Sequence, residues 1–143
     1  MGAQFTLWPM RAIRHEAGQA VVELALSLPI FVGILVGALE TSRSLLATVG
    51  MTSAILAGAQ YGALSVSAAA DTAGIASAVR TEAARIPGAT PANPSVTSST
   101  GTDSDGQTYV TVSGTFSLTT LFQYPGLPQS YTITRLATLQ VRR

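Results

Sequence analysis

The stretch GQAVVELALSLPIFVGILVGALE, residues 18–40, decides the fold of this chain. Its charged residues are Glu23, near its start, and Glu40, its last residue. No charged residue lies between residues 24 and 39. As an α-helix, residues 19–39 would extend roughly 31 Å at about 1.5 Å per residue, close to the hydrocarbon thickness of a bilayer. The stretch therefore predicts one membrane-spanning helix, with Pro29 as the expected position of a kink.

Two other structures are compatible with such a stretch. One is a buried core helix of a soluble domain, but the rest of the chain has few large apolar residues with which to cover it. The other is a cleavable signal peptide, for which Val36, Gly37 and Ala38 offer the small residues of a cleavage site. Glu23 and Pro29 inside the apolar run, and a helix-like sequence that continues after it, favour a permanent anchor.

Charged residues on either side of the apolar run predict its orientation. Arg11 and Arg14 precede it, whereas Glu40 and Arg43 balance each other directly after it. By the positive-inside rule, the N-terminus then faces the cytoplasm. We therefore expect a single-pass protein of the inner membrane, in contact with membrane lipid, whose C-terminal part is periplasmic or extracellular.

The composition excludes most enzyme chemistry. The chain has no cysteine and a single histidine, His15, so it has no thiolate nucleophile, no cysteine metal site and no histidine cluster further along. Only 10% of the residues are charged and the net charge is +1, which gives no basic surface for nucleic acid. We expect no catalytic residues, no metal, no cofactor and no nucleic-acid partner. Residues 103–106, DSDG, lack the further acidic ligands of a calcium loop and are predicted to form a turn.

The helical pattern continues to residue 67, because no proline occurs between residues 41 and 67 and alanine and leucine are frequent there. Small residues recur at intervals of four along this helix, and such positions let another helix approach closely. That helix is either the chain's own second helix or one from a neighbouring subunit. The predicted packing positions are Gly33, Gly37, Gly50, Ala54, Gly58 and Gly62.

A second helix is predicted over residues 71–86. Asp71 is a suitable N-cap, and Pro87 and Gly88 end the pattern. The apolar face of this helix consists of Ile75, Val79, Ala83 and Ile86. Residues 89–99 are rich in proline, serine, threonine and asparagine, which predicts a loop or a weak edge strand.

From residue 107 the apolar period changes to two, which is typical of strands. The first strand carries Val110, Val112, Phe116 and Leu118 on its buried face. After a turn at residues 124–128, a second strand covers residues 131–141, where Arg135 interrupts the apolar face as an edge position or a bulge does. The chain is thus expected to be α+β. Its predicted parts are an N-terminal segment 1–18, a long helix 19–67 that includes the membrane segment 19–39, and a domain 68–143 of one helix and an antiparallel sheet.

Glu23 is the residue that most needs an explanation. A carboxylate near the start of a membrane-entering helix is costly unless it is hydrated or paired. In one interpretation Glu23 lies at the headgroup boundary and is hydrated. In the other it meets a positive group of a partner when the subunit leaves the lipid.

The residues around Glu23 resemble those of a known family. Arg14, Gly18, the glutamate five residues later and the apolar run with Pro29 resemble the class III signal of type IV prepilins. More closely, residues 18–29, GQAVVELALSLP, are similar to the start of the TadE-like pseudopilins of the tight-adherence (Flp-type) pilus machinery. Residues 59–64, AQYGAL, are similar to a further segment of that family, although two arginines of that segment are missing and Leu24 replaces the usual aromatic residue.

The resemblance implies a pilin-like fold and a cytoplasmic leader, residues 1–18, that a prepilin peptidase removes after Gly18. Gln19 would then be the new N-terminus, and Glu23 the residue used in processing and assembly. The implied partners are the peptidase, other pilin or pseudopilin subunits and the inner-membrane assembly platform. The ammonium on Gln19 would lie one helical turn from Glu23, and the ammonium of one subunit and the carboxylate of another could neutralise each other.

The sequence therefore predicts a minor pilin or pseudopilin that is assembled into a tight-adherence-type pilus or primes it. The alternative is a secreted or singly anchored binding domain, such as an adhesin, with a conventional signal sequence. Whether residue 19 or residue 39 begins the mature chain separates the two.

Overall fold

The computed structural model describes the backbone of residues 11–123, 126 and 128–142, and within these ranges the side chains from residue 18 onward. The elements are α1 (Arg11–Gly62), α2 (Val66–Ala70), α3 (Thr72–Ala83), β1 (Ser95–Thr102), β2 (Thr108–Thr119) and β3 (Ser130–Gln140). The chain divides into two compact units, Met1–Leu39 and Glu40–Arg143. This is an α+β fold of the pilin-like kind, with a long apolar N-terminal helix and a small antiparallel sheet, as predicted.

Helix α1 begins earlier and ends earlier than the sequence predicted. The described helix already includes residues 11–18, ahead of the predicted start at residue 19, because residues 11–17 contain neither glycine nor proline and continue the helix backwards. Its end at Gly62, rather than residue 67, is followed by Ser65, whose side chain accepts the N–H of Ala68 at 3.1 Å and caps the short helix α2. Residues 1–10 of the predicted leader lie outside the described residues.

The unit Glu40–Arg143 is built around the C-terminal half of α1. The side chains of Ala47, Met51 and Ile55 are buried on one face of this half, spaced four residues apart as a helix face requires. They pack with residues of α3 and of the sheet. The rest of the buried core is Ala54, Ala59, Ala69, Ile75, Val79, Ala83, Ile86, Val110, Val112, Phe116, Leu118, Ile133 and Val141.

Helix α3 has the predicted cap and the predicted buried face, but is shorter than residues 71–86. Asp71 is its N-cap, and the helix ends at Ala83. Ile75, Val79 and Ala83 are buried, and Ile86 is buried in the turn that follows. The Arg85 guanidinium, on the solvent side, lies 3.2 Å from the Glu82 carboxylate.

The sheet has the order β1-β2-β3, with both pairs antiparallel. The predicted turn at residues 103–106 joins β1 and β2: the N–H of Gly106 donates to the carbonyl of Asp103 at 2.9 Å, and Gly106 has φ +70. Residues 95–102 form a regular edge strand, which is the second of the two structures predicted for residues 89–99. In the turn predicted at 124–128, Tyr124, Pro125 and Leu127 lie outside the described residues.

The buried face of β2 has the predicted composition, with Val110, Val112, Phe116 and Leu118 all at most 2% exposed. Arg135 lies opposite Gly114 in an unbroken register between β2 and β3, so the edge position is correct for Arg135 and a bulge there is not observed. A Cβ at Gly114 would come within 2.6 Å of Ile55 Cδ1. Gly114 thus lies against the side chains of Met51 and Ile55 on α1, which would have to shift to admit a larger residue.

Candidate assembly segment

The large apolar residues between Gly18 and Leu39 are exposed in the structure, except Val36, which is half-buried. Of the part of the chain that the structure describes, α1 is the helix long and apolar enough to cross a membrane, with a mean hydropathy of 2.3 over its most apolar window and none of that window buried. Leu24, Leu28 and Leu35 are each more than half exposed. A buried core helix, one of the two other structures compatible with this stretch, is therefore excluded.

Gly18, Gln19 and Glu23 lie on the exposed part of α1. Gly18 and Gln19 are exposed, and a Cβ built at Gly18 would meet no described atom within 4 Å. Because Gln19 and Glu23 are four residues apart in a helix, they lie on the same face. The backbone on both sides of the predicted cleavage point is thus free of other described parts of the chain.

The carboxylate of Glu23 has no hydrogen-bond or ion-pair partner among the described residues, and its residue is exposed. In addition to the hydrogen bonds of the helix, the hydroxyl of Ser27 donates to the backbone carbonyl of Glu23. Such a bond satisfies the serine within the helix and leaves the carboxylate available. The charge of Glu23 is therefore not compensated within the described chain.

The remaining positions predicted on this segment are Pro29, Gly33 and Gly37. The helix assignment runs through Pro29, which is exposed. A Cβ built at Gly33 or at Gly37 would meet no atom within 4 Å in the described chain.

Gly50, Ala54, Gly58 and Gly62 lie in the packed part of the chain, against α3, the turn that follows it and the sheet. A Cβ at Gly50 would lie 2.7 Å from Ile86 Cγ1, and one at Gly62 would lie 3.0 Å from Val110 Cγ2. A Cβ at Gly58 would collide with Val79 Cγ2, and Ala54 is fully buried. Four of the small residues predicted on α1 thus pack within the unit Glu40–Arg143.

A polar cluster lies where the apolar run ends. Glu40 Oε2 accepts the backbone N–H of Leu121 at 3.1 Å and lies 3.5 Å from Arg43 Nη1. The same Arg43 nitrogen lies 3.5 Å from the carbonyl of Thr119. Sequence reasoning treated Glu40 and Arg43 only as flanking charges and missed these contacts to the β2–β3 connection. No local pattern predicts them, because the partners are far apart in the chain.

The junction between α1 and α3 is held by a second polar group. Asp71 accepts the Gly74 N–H through Oδ1 and the Tyr61 hydroxyl through Oδ2, both at 2.8 Å. These two hydrogen bonds, that from Gly74 first, lower the pKa of Asp71 below its ordinary value. The cap predicted from sequence is thus also a link between the two helices.

A groove of about 420 Å³ lies beside α3, between Arg80 and Thr81 on the helix and Pro91 and Pro94 before β1. Among the residues that line it, Arg80 is the one ionisable side chain. Acid–base catalysis requires a proton donor or acceptor that titrates near the working pH, and a lone arginine does not provide one. The groove therefore does not resemble an active site.

Taken together, an apolar N-terminal helix long enough to cross a membrane, with a glutamate near its start that has no partner among the described residues, precedes a small α+β domain, which is a pilin-like arrangement. The N-terminal part of the chain is TadE-like: residues 18–60 match the family model described as TadE-like protein. The match includes Gly18, Gln19, Glu23, Pro29 and the packing positions as far as Gly58, and confirms the resemblance recognised from the sequence. In the other comparisons, no curated protein and no solved structure matched the chain.

Proposed function

We propose that this protein is a minor pilin or pseudopilin, a non-enzymatic structural subunit of a tight-adherence-type pilus. A prepilin peptidase removes residues 1–18, residues 19–39 hold the subunit in the inner membrane, and the domain that follows lies outside the cytoplasm. The mature subunit is then passed from the lipid to the assembly platform and to other pilin subunits, either within the filament or in the complex that primes it.

The observation that carries this proposal is the carboxylate of Glu23, which has no partner among the described residues and lies in an exposed apolar helix whose sequence matches the TadE-like model. A carboxylate that enters an apolar bundle needs a positive partner. Cleavage after Gly18 supplies one, the ammonium on Gln19 of a neighbouring subunit. The pairing sets the axial register of subunits more than it adds net stability, since both charges lose their hydration.

Exposure of Gly18 and Gln19 supports the processing step. The bond to be cut lies in helical backbone, so the helix has to unwind locally in the peptidase. Glycine makes this easier, because glycine costs about 1 kcal/mol relative to alanine within a helix. A side chain at residue 18 would also keep the peptidase from approaching the backbone closely.

The alternative is a secreted or singly anchored binding domain with a conventional signal sequence. One observation favours it: the compact unit begins at Glu40, so cleavage between Ala38 and Leu39 would leave that unit whole. The continuous apolar match to a TadE-like model, with Glu23 and Pro29 inside it, favours the pilin. The mature N-terminus separates the two.

Substitution of Glu23 by glutamine tests the proposal. Glutamine keeps the size and most of the hydrogen-bonding capacity of the side chain but removes the charge that meets the ammonium. We expect membrane insertion to persist and recovery of the variant in sheared filaments, or in crosslinked complexes with other pilins, to be lost. Ser27→Ala is the matched control, because it removes a polar group one helical turn away without changing charge. Assembly of Glu23→Gln at the wild-type level would mean that Glu23 is a hydrated boundary residue.

A further inference from the structure

The connection between β2 and β3 exposes two large apolar residues. The two ends of this connection are joined at Thr120, which is buried: its N–H and its hydroxyl both donate to the carbonyl of Gln129, at 3.0 and 3.1 Å. Leu121 and Phe122 follow directly and are 52% and 58% exposed. Two consecutive, largely exposed apolar side chains next to this hydrogen-bonded residue form a candidate contact surface.

Two contacts join the β2–β3 connection to the start of the unit Glu40–Arg143. The N–H of Leu121 donates to Glu40, and Arg43 Nη1 lies 3.5 Å from the carbonyl of Thr119. Glu40 is the residue that follows Leu39 and the first charged residue after the uncharged run. Leu121 is thus hydrogen-bonded to the residue that directly follows the predicted membrane segment in the sequence.

The chemistry of the connection suits lipid. No charged residue occurs from residue 106 to residue 134, so the whole connection lacks the charges that would keep it away from a bilayer. The nearest charges, on Glu40 and Arg43, are paired with each other and with backbone groups. Phenylalanine and leucine are residues that insert into the boundary between headgroups and acyl chains.

We propose that Leu121 and Phe122 insert into the headgroup region of the same bilayer that residues 19–39 cross. They form a second membrane contact, which seats the unit Glu40–Arg143 on the membrane surface before assembly. This inference rests on the membrane anchoring in the proposed function, but not on cleavage or on pilus assembly. The alternative is that a neighbouring subunit, rather than lipid, covers Leu121 and Phe122. The experiment below distinguishes these two contacts.

The absence of cysteine makes a clean labelling experiment feasible. The full chain is reconstituted in phosphatidylethanolamine–phosphatidylglycerol vesicles as single-cysteine variants that carry an environment-sensitive fluorophore. Phe122→Cys reports on the proposed contact, and Leu121→Cys is a second probe of it. Leu136→Cys, at a residue 65% exposed on β3, is the control for water, and Ile34→Cys is the control for the membrane segment. Quenching is measured with aqueous iodide and with a lipid that carries a nitroxide close to its headgroup.

The expected result is that labels at 121 and 122 are quenched by the nitroxide lipid and are several-fold less sensitive to iodide than the label at 136. Iodide quenching at 122 equal to that at 136, with lipid quenching at 34 intact, would overturn the membrane contact and leave the anchor standing. Protection from iodide without lipid quenching, and dependent on the protein-to-lipid ratio, would overturn it in favour of a subunit contact. Loss of lipid quenching at 34 as well would refute the anchor itself.

Discussion

The carboxylate of Glu40 accepts the backbone N–H of Leu121 at 3.1 Å, although the two residues are 81 positions apart in the chain. This hydrogen bond joins the first charged residue after the apolar run to the connection between β2 and β3. The contact has a charged acceptor and a half-buried glutamate, so it is stronger than an ordinary surface hydrogen bond. It is the interaction that fixes where Leu121 and Phe122 lie.

We expect Glu40→Ala to loosen the β2–β3 connection without unfolding the subunit. A hydrogen bond to a charged group contributes about 1.5–3 kcal/mol, so the Leu121 amide should exchange with deuterium at least several-fold faster in the variant. Glu82→Ala is the matched control, because Glu82 also pairs with an arginine three residues later but has no contact with the connection. Equal protection of the Leu121 amide in both variants would mean that the Glu40 contact does not hold this segment.

Gly58 is predicted to be intolerant of even one methyl group. Alanine would gain about 1 kcal/mol in helix propensity. Its Cβ would meet the Val79 side chain, which is fully buried and stiff, and would lie 3.3 Å from the Ile75 carbonyl. Overpacking of this kind costs about 1–3 kcal/mol, so Gly58→Ala should lower the free energy of unfolding.

The matched control for this prediction is Gly33→Ala on the same helix. A Cβ at Gly33 meets no described atom, so this variant should leave the unfolding of the unit Glu40–Arg143 unchanged. Denaturant unfolding of both variants in the same detergent gives the comparison. A Gly58→Ala variant more stable than the wild type would show that α1 and α3 do not pack as closely as described.

Asp71 makes the stability of the domain dependent on pH. Hydrogen bonds from Gly74 and Tyr61 lower its pKa in the folded state below the ordinary 3.8. The folded state therefore favours the ionised carboxylate, and this contribution is complete above about pH 4 and is lost as the pH falls through the lowered pKa. Asp71→Asn, which keeps an N-cap residue but cannot titrate, should lose less stability on acidification than the wild type.

Denaturant midpoints measured from neutral pH down to about pH 2 test this dependence. Tyr61→Phe removes only one of the two hydrogen bonds and should give a pH dependence between those of the wild type and Asp71→Asn. Parallel curves for the wild type and Asp71→Asn would mean that the Asp71 contacts are not present in solution.

Local patterns in the sequence were sufficient to predict much of the fold. The alternation of Val110, Val112, Phe116 and Leu118 predicted β2 and its buried face, and Asp71 predicted the start of α3. Strand β1 was left between a loop and an edge strand, because Val96 is its one large apolar residue among serines and threonines. The residues of β1 form a strand because they pair with β2, which their own composition does not indicate.

Contacts between distant parts of the chain were not predictable in the same way. The spacing of Gly50, Ala54, Gly58 and Gly62 indicated close packing, but did not say whether the partner was α3 or another subunit. The hydrogen bond between Glu40 and Leu121 depends on the complete sheet and has no local sequence signal. Glu23 is the opposite case, since its local sequence context is sufficient to identify it and the described fold offers its carboxylate no partner.

The most direct test of the proposed function is the N-terminal residue of the mature protein, determined by sequencing or intact mass after expression with a prepilin peptidase. The account predicts that the chain begins at Gln19, and that Gly18→Trp, which obstructs close approach of the peptidase to the backbone, remains at full length. A mature chain that begins at Leu39 would identify a conventional signal peptide. An uncut wild-type chain, or correct cleavage of Gly18→Trp, would contradict the assignment as a prepilin.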